Sequence, residues 1–215
     1  MLSRVAHVVV LLADFANGIF AVLLAAYVTG GAVFWWHFGI GIAAAMSPDL
    51  DALPELRRRG KVSSSSAHPF DHREGMHYPL AFILAGICFV FIAPYWGYVF
   101  LFGSMLHFVN DLYGTGWGIK LFWPISNRNY KFFSRRTNQL QHMLKDANVW
   151  NELPAEERQL RFLLSWSKQE LPRYMQQWGF EDWIPTIYYR LNWISAIEYS
   201  LFLFACLLLL CTLLY

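Results

Sequence analysis

The chain has 215 residues, of which 56% are hydrophobic and 15% charged, with a formal net charge of +2. So small a charge argues against a nucleic-acid binder, and the apolar excess, gathered in long runs, argues against an ordinary soluble domain. Cys88, Cys206 and Cys211 all lie inside apolar runs without ligand spacing, so neither a disulfide framework nor a zinc ribbon is expected.

Five apolar runs follow one another: Val5–Val28, Gly31–Ser47, Pro79–Ala93, Tyr95–Leu112 and Ile194–Tyr215. A helix needs roughly 20 mostly apolar residues to cross a bilayer. The first and last runs meet that length easily, and the middle three stand near its short end. The first run carries Asp14 and ends in no small-x-small site, so it reads as a retained helix and not a signal peptide. The expected fold is therefore all-α: an integral membrane bundle of about five spanning helices.

Arg57, Arg58, Arg59, Lys61 and Arg73 fall between the second and third runs, and eleven further basic residues fall between Tyr113 and Trp193. The turns at Thr29-Gly30 and Pro94-Tyr95 carry none. The positive-inside rule then puts the N terminus and both basic segments in the cytoplasm, with the C terminus outside. The sequence between Leu112 and Lys145 has five basic residues and no acid, a bias suited to anionic headgroups.

Ser63–Ser66 reads as a flexible polar stretch in a loop punctuated by Pro48, Pro54 and Pro69. Three glycines at 114, 116 and 118 end the fourth run, and Lys120–Pro124 reads as a short strand or hairpin at the membrane surface. Beyond Asn127 the chain turns polar and is expected to be helical. Pro154-Ala-Glu-Glu has the proline and acids of a helix start, and Leu160, Leu163, Leu164 and Ser167 recur at helical spacing. Trp150, Trp166, Trp178, Trp183 and Trp193 suit either a small helical core or an interfacial belt. The organisation expected is a membrane domain over 1–126, a cytoplasmic, aromatic-rich helical segment over 127–193, and a last spanning helix over 194–215.

Chemistry-bearing residues gather in three places: Pro48-Asp49-Leu50-Asp51, His72-Arg73-Glu74-Gly75-Met76-His77, and His107 with Asp111. Histidine and carboxylate in such density suit a divalent metal. His107 and Asp111, four apart, share one helix face, and ionisable groups at membrane depth mark a functional site by default. A turn at Gly75 can bring His72 and His77 together. Glu74 is a candidate ligand or base. Arg73 can grip an anion in a bidentate fork or orient an aspartate such as Asp71. Asp14 and His7, on the first helix, are further candidate ligands, whereas His37, His68 and His142 have no partner motif. In the expected topology Asp49, Asp51, His72, His77, His107 and Asp111 all fall at the cytoplasmic end of the bundle.

These elements resemble the YdjM-like family of predicted membrane-bound metal-dependent hydrolases. The family pattern is Pro-Asp-x-Asp, usually followed by His, then His-Arg-x-x-x-His, then Ser-His-x-x-x-Asp leading to a glycine and a Leu-x-Trp-Pro run. Here these are Pro48–Asp51, His72–His77, Ser104 with His107–Asp111, and Gly118–Pro124. Ala52 stands in place of the histidine, Ser104 is displaced, and Met76 and Tyr78 replace Thr and Ser. The resemblance implies one to three divalent ions, zinc or manganese, held by Asp49, Asp51, His72, His77, His107, Asp111 and Asp14. It also implies a bacterial or archaeal cytoplasmic membrane, with membrane lipids as partners and a lipid phosphate or ester as substrate. Arg73 would be the anion clamp and Glu74 the base. The alternative expectation is a non-catalytic accessory subunit of a membrane complex that keeps the polar cluster to hold helices together. A transporter fits less well, because the helices show no repeat symmetry.

Overall fold

The computed structural model describes residues 8–62, 72–133, 155, 161–179 and 183–214. His7, Ser63–Ser66, His68, Asp71, His142, Trp150, Pro154 and Leu160 lie outside the described residues. In chain order the helices are α1 (Leu12–Thr29), α2 (Trp35–Ala45), α3 (Leu53–Arg59), α4 (Pro79–Ile92), α5 (Pro94–Tyr113), α6 (Glu170–Trp178), α7 (Trp183–Tyr188) and α8 (Trp193–Leu214). Short 3-10 turns at Ser47–Ala52 and His72–Glu74 carry the first two motifs.

Helix α1 is the hub, packing on α2, α5 and α8. Its small inward residues Ala16, Ala21 and Ala25 are fully buried and let its neighbours approach. The closest approach is at Gly18 and Gly41, where a Cβ on Gly18 would stand 2.4 Å from the Ile42 Cα and one on Gly41 would stand 2.4 Å from the Gly18 carbonyl oxygen. Ile19, Val22, Phe38, Val99 and Ala205 complete the core at this level.

Two helical stretches, Val8–Thr29 and Trp193–Leu214, are long and apolar enough to cross a membrane, each of 22 residues. Pro79–Ile92 is apolar but shorter, and α2 has only 11 residues. Outward-facing Leu203, Phe204, Leu207 and Leu210 on α8, with Leu84, Phe91 and Ile92 on α4, are exposed. A helix exposing large apolar residues along its flank suits hydrocarbon, not water.

The expectation of a helix through Leu163, Leu164 and Ser167 is corrected. Arg161–Trp166 is a strand (β2), paired antiparallel with β1 (Asn129–Phe133), with Lys131 opposite Leu164. Cross-strand pairing of aromatic and branched residues outweighs the helical spacing. Both faces of the pair are covered: Asn129, Lys131 and Trp166 are buried on one, while Tyr130 and Phe132 pack on the cluster of Phe108, Leu112 and Ile119 on the other, Phe132 also stacking on the exposed Phe162 at 5.1 Å. The helix that follows begins only at Glu170. Its start is fixed by a reciprocal pair in the capping-box pattern: Glu170 N–H donates to Ser167 Oγ and Ser167 N–H donates to Glu170 Oε2.

Replacing Gly41 by leucine should force α1 and α2 apart. Overpacking of this kind costs about 1–3 kcal/mol. A lowered midpoint of thermal unfolding in detergent is expected, with Gly39→Leu, whose added side chain meets open space, as the control.

Candidate metal centre

The 3-10 turn at Ser47–Ala52 begins with Pro48 in its first turn, and this geometry aims Asp49 and Asp51 inward while Leu50 points out. The second turn, His72–Glu74, faces the first across a short gap. Asp51 Oδ2 closes that gap, accepting from the Met76 N–H at 2.6 Å and lying 3.2 Å from His77 Nδ1. Helix α5 supplies His107 and Asp111 one turn apart, and α1 supplies Asp14.

The side chains converge on Asp49 Oδ1. His72 Nε2 and His77 Nε2 lie 3.3 Å from it, and His107 Nε2 lies 3.6 Å from it. Asp111 Oδ2 stands 3.3 Å from both His77 Nε2 and His107 Nε2. Yet His77 Nε2, His107 Nε2 and Asp111 Oδ2 are buried and make no hydrogen bond. Buried carboxylate and imidazole atoms this close without hydrogen-bonding geometry are donors to which a proton or a cation could bind. Three overlapping sets could hold an ion: Asp49, Asp51, His72 and His77; His77, His107 and Asp111; and Asp14, Asp49 and His107.

Around this centre sits a second layer. His107 Nδ1 meets Asp14 Oδ1 at 2.7 Å. Arg73 donates to Asp111 Oδ1 at 2.7 Å, and its guanidinium lies against Gly116. A Cβ at Gly116 would fall 1.4 Å from the Arg73 Nη1, and the positive φ of +92° there also favours glycine. Glu74 belongs to none of the three sets; Lys120 donates to its Oε2 at 2.5 Å. The Asp49 and Glu74 side chains are 30% and 31% exposed, against 12% or less for His72, His77, His107 and Asp111, so these two mark the mouth.

Every described candidate except Glu74 and Arg73 thus falls into a donor set. Sequence reasoning missed Lys120 and Gly116. A single lysine in an aromatic run carries no signal, whereas the Gly-Thr-Gly-Trp-Gly run did hint at a close approach. It also missed the buried Lys131, which donates to the Gly114 carbonyl at 2.6 Å, and Glu198 on α8, whose Oε1 lies beside Gly114.

Burial alone would push the Asp49 carboxyl up, but the imidazoles of His107, His72 and His77 outweigh it and hold the group well below the usual carboxylate range. Burial favours neutral His77, but the carboxylates of Asp111, Asp49 and Asp51 outweigh that and lift it to about 10. In metal-free protein, protonated His77 therefore contributes stability that is complete below its unfolded pKa of about 6.5 and lost as pH rises through about 10. Thermal unfolding in chelator should show the midpoint falling between those two values, and His77→Gln should flatten that slope.

A helical bundle with an apolar outer surface and a buried histidine–aspartate centre at one end defines a helical membrane protein. The chain belongs to the YdjM inner membrane protein family, which matches residues 12–214. No curated protein and no solved structure matches it.

Proposed function

We propose that the protein is a membrane-bound metal-dependent hydrolase whose centre opens at the cytoplasmic membrane face onto an amphiphilic phosphate or ester. The observation that carries the reading is the chain of overlapping donor sets. Donors bound about 2.0–2.1 Å from one zinc ion stand about 3.3–3.4 Å apart, and His77 Nε2 and His107 Nε2 each stand 3.3 Å from Asp111 Oδ2 in one set of three. Asp49 Oδ1, 3.3 Å from His77 Nε2 and 3.6 Å from His107 Nε2, belongs to the two neighbouring sets and not to this one. Asp49, Asp51, His72 and His77 thus offer a place for a second ion beside the first.

When bound, a divalent ion in such a cage acts as a Lewis acid and makes water nucleophilic near neutral pH. The chain's own residues do the rest. Asp14 and Asp51 fix the orientation of His107 and His77 through their Nδ1 atoms, the carboxylate–histidine arrangement of metal sites. Arg73, bonded to Asp111, holds that carboxylate in place, a positioning role that its contact with Gly116 reinforces. Glu74, steadied by Lys120 at the mouth, is the group placed to take or return a proton.

The reading further takes α2, α4 and α5 as short or tilted spans beside α1 and α8, with the N terminus cytoplasmic. In a cysteine-free background, single cysteines at Arg58 and Leu214 should then be labelled from opposite sides of the membrane. Labelling from one side would remove the five-span topology.

Metal analysis of the purified protein should find one to three equivalents of zinc or manganese. Asp49→Asn, His77→Ala and His107→Ala should lose both metal and turnover of a lipid-phosphate panel, and His72→Ala should lose turnover. Asp14→Asn and Asp51→Asn should weaken metal affinity by about 10–100-fold. Because ligation needs deprotonated imidazole, metal affinity should rise with pH, opposite in sign to the stability of the metal-free protein.

One observation favours a second reading, a non-catalytic scaffold: the cluster ties α1, α5 and both 3-10 turns together. Breaking a buried charge pair costs roughly 3–5 kcal/mol. His107→Ala that unfolds the protein, with no turnover by the parent on any substrate, would favour the scaffold.

A further inference from the structure

The segment Ser47–Arg59 does more than present Asp49 and Asp51. Its outer face carries Leu50, Leu53 and Leu56, which are 52%, 55% and 41% exposed. Apolar side chains of that size on a polar turn seek cover. Of the segment's three acids, Asp49 and Asp51 face the histidines and Glu55 is turned inward and bonded to Arg59 at 2.5 Å, so the most exposed charges beside the leucines are those of Arg57 and Arg58. The surface is therefore apolar and cationic together.

Its depth is fixed by the fold. The Trp183 Nε1–H donates to the Val62 carbonyl at 3.0 Å, three residues after α3 ends. Trp183 packs in the cluster of Ile187, Tyr188 and Ile194, together with Val9 and Val10. Val9 and Val10 open the Val8–Thr29 stretch, and Ile194 opens Trp193–Leu214. Helix α3 is thus pinned at the level where both long apolar helices begin, which is the plane of the membrane interface.

We infer that Ser47–Arg59 is an interfacial lipid-binding segment: Leu50, Leu53 and Leu56 enter the acyl boundary, and Arg57 and Arg58 pair with the phosphates of anionic headgroups. Leucines on one side and arginines beside them match the composition of helices that lie in that plane. The lipid contact stands on these observations alone. The further step, that the mouth at Asp49 draws its substrate from the headgroup layer and not from solution, rests on the metal-site reading above.

The test uses the full chain in nanodiscs of phosphatidylglycerol or phosphatidylcholine, with Cys88, Cys206 and Cys211 replaced by alanine. A spin label at Leu53→Cys should be reached by oxygen, which concentrates among acyl chains, and shielded from a water-soluble nickel complex. Leu50→Cys is a second reporter on the same face, and Lys61→Cys is the water-side control. Each basic residue near an anionic surface contributes about a fivefold preference. Arg57→Gln with Arg58→Gln should therefore lower the preference for spin-labelled anionic over neutral lipid by about 30-fold. Added inorganic phosphate should leave that preference unchanged. Nickel access at both leucine sites overturns the inference, as does shielding from both reagents, which would mean a protein cover. An unchanged lipid preference in the double variant, or its loss in free phosphate, overturns it equally. Turnover is not a readout, so failure here leaves the hydrolase reading standing, and failure of that reading leaves this one standing.

Discussion

One carboxylate oxygen, Asp49 Oδ1, holds three distant stretches of chain in register. His72 in the second 3-10 turn, His77 just after it and His107 on α5 reach to within 3.6 Å of it. Around it the fold concentrates Asp14, Asp51 and Asp111, with Arg73 the cation bonded into the group. Carboxylates at this density repel one another unless protons or cations intervene. The small residues of α1 let α2 and α5 close in, Gly116 makes room for Arg73, and the first short turn puts Asp49 and Asp51 at the end of the bundle.

The contrast between the two layers of this centre is chemical. In the inner layer, His77 Nε2, His107 Nε2 and Asp111 Oδ2 approach one another without hydrogen-bonding geometry; in the outer layer, Asp14 bonds His107, Asp51 bonds Met76 and Arg73 bonds Asp111 at 2.6–2.7 Å. Bonded outer atoms hold inner atoms that are not. Such an arrangement costs stability unless protons or a bound cation offset the repulsion.

Much of this was legible in the sequence, and the rest was hidden for identifiable reasons. The outer helices announced themselves through runs such as Leu207–Leu210, since hydrocarbon demands apolar length. His107 and Asp111 could be paired from their spacing, because a helix turn fixes it. Asp14 could be singled out as a carboxylate in an apolar run, but not matched with His107, 93 residues away. The β1–β2 pair was missed because β1 is only five residues long and its partner lies far along the chain; Tyr130 and Phe132 pack on an apolar cluster, and Asn129 and Lys131 are buried on the other face beside Trp166. Leu163 and Leu164 fitted a helix locally and a strand tertiarily, and the pairing partner decided.

Lys131 carries a consequence for how the molecule is made. Its amine is fully buried and donates to the carbonyl of Gly114, at the end of the helix that bears His107 and Asp111. Glu198, on the last helix, reaches the same glycine. A ribosome delivers all the centre's histidines and aspartates before it delivers either of these two. The contacts that Lys131 and Glu198 make at the loop cradling Arg73 can therefore form only after β1 and α8 have been synthesised. The centre is completed last, by residues that take no direct part in it, so a nascent or truncated chain would carry the donors without the closed loop that holds them in order.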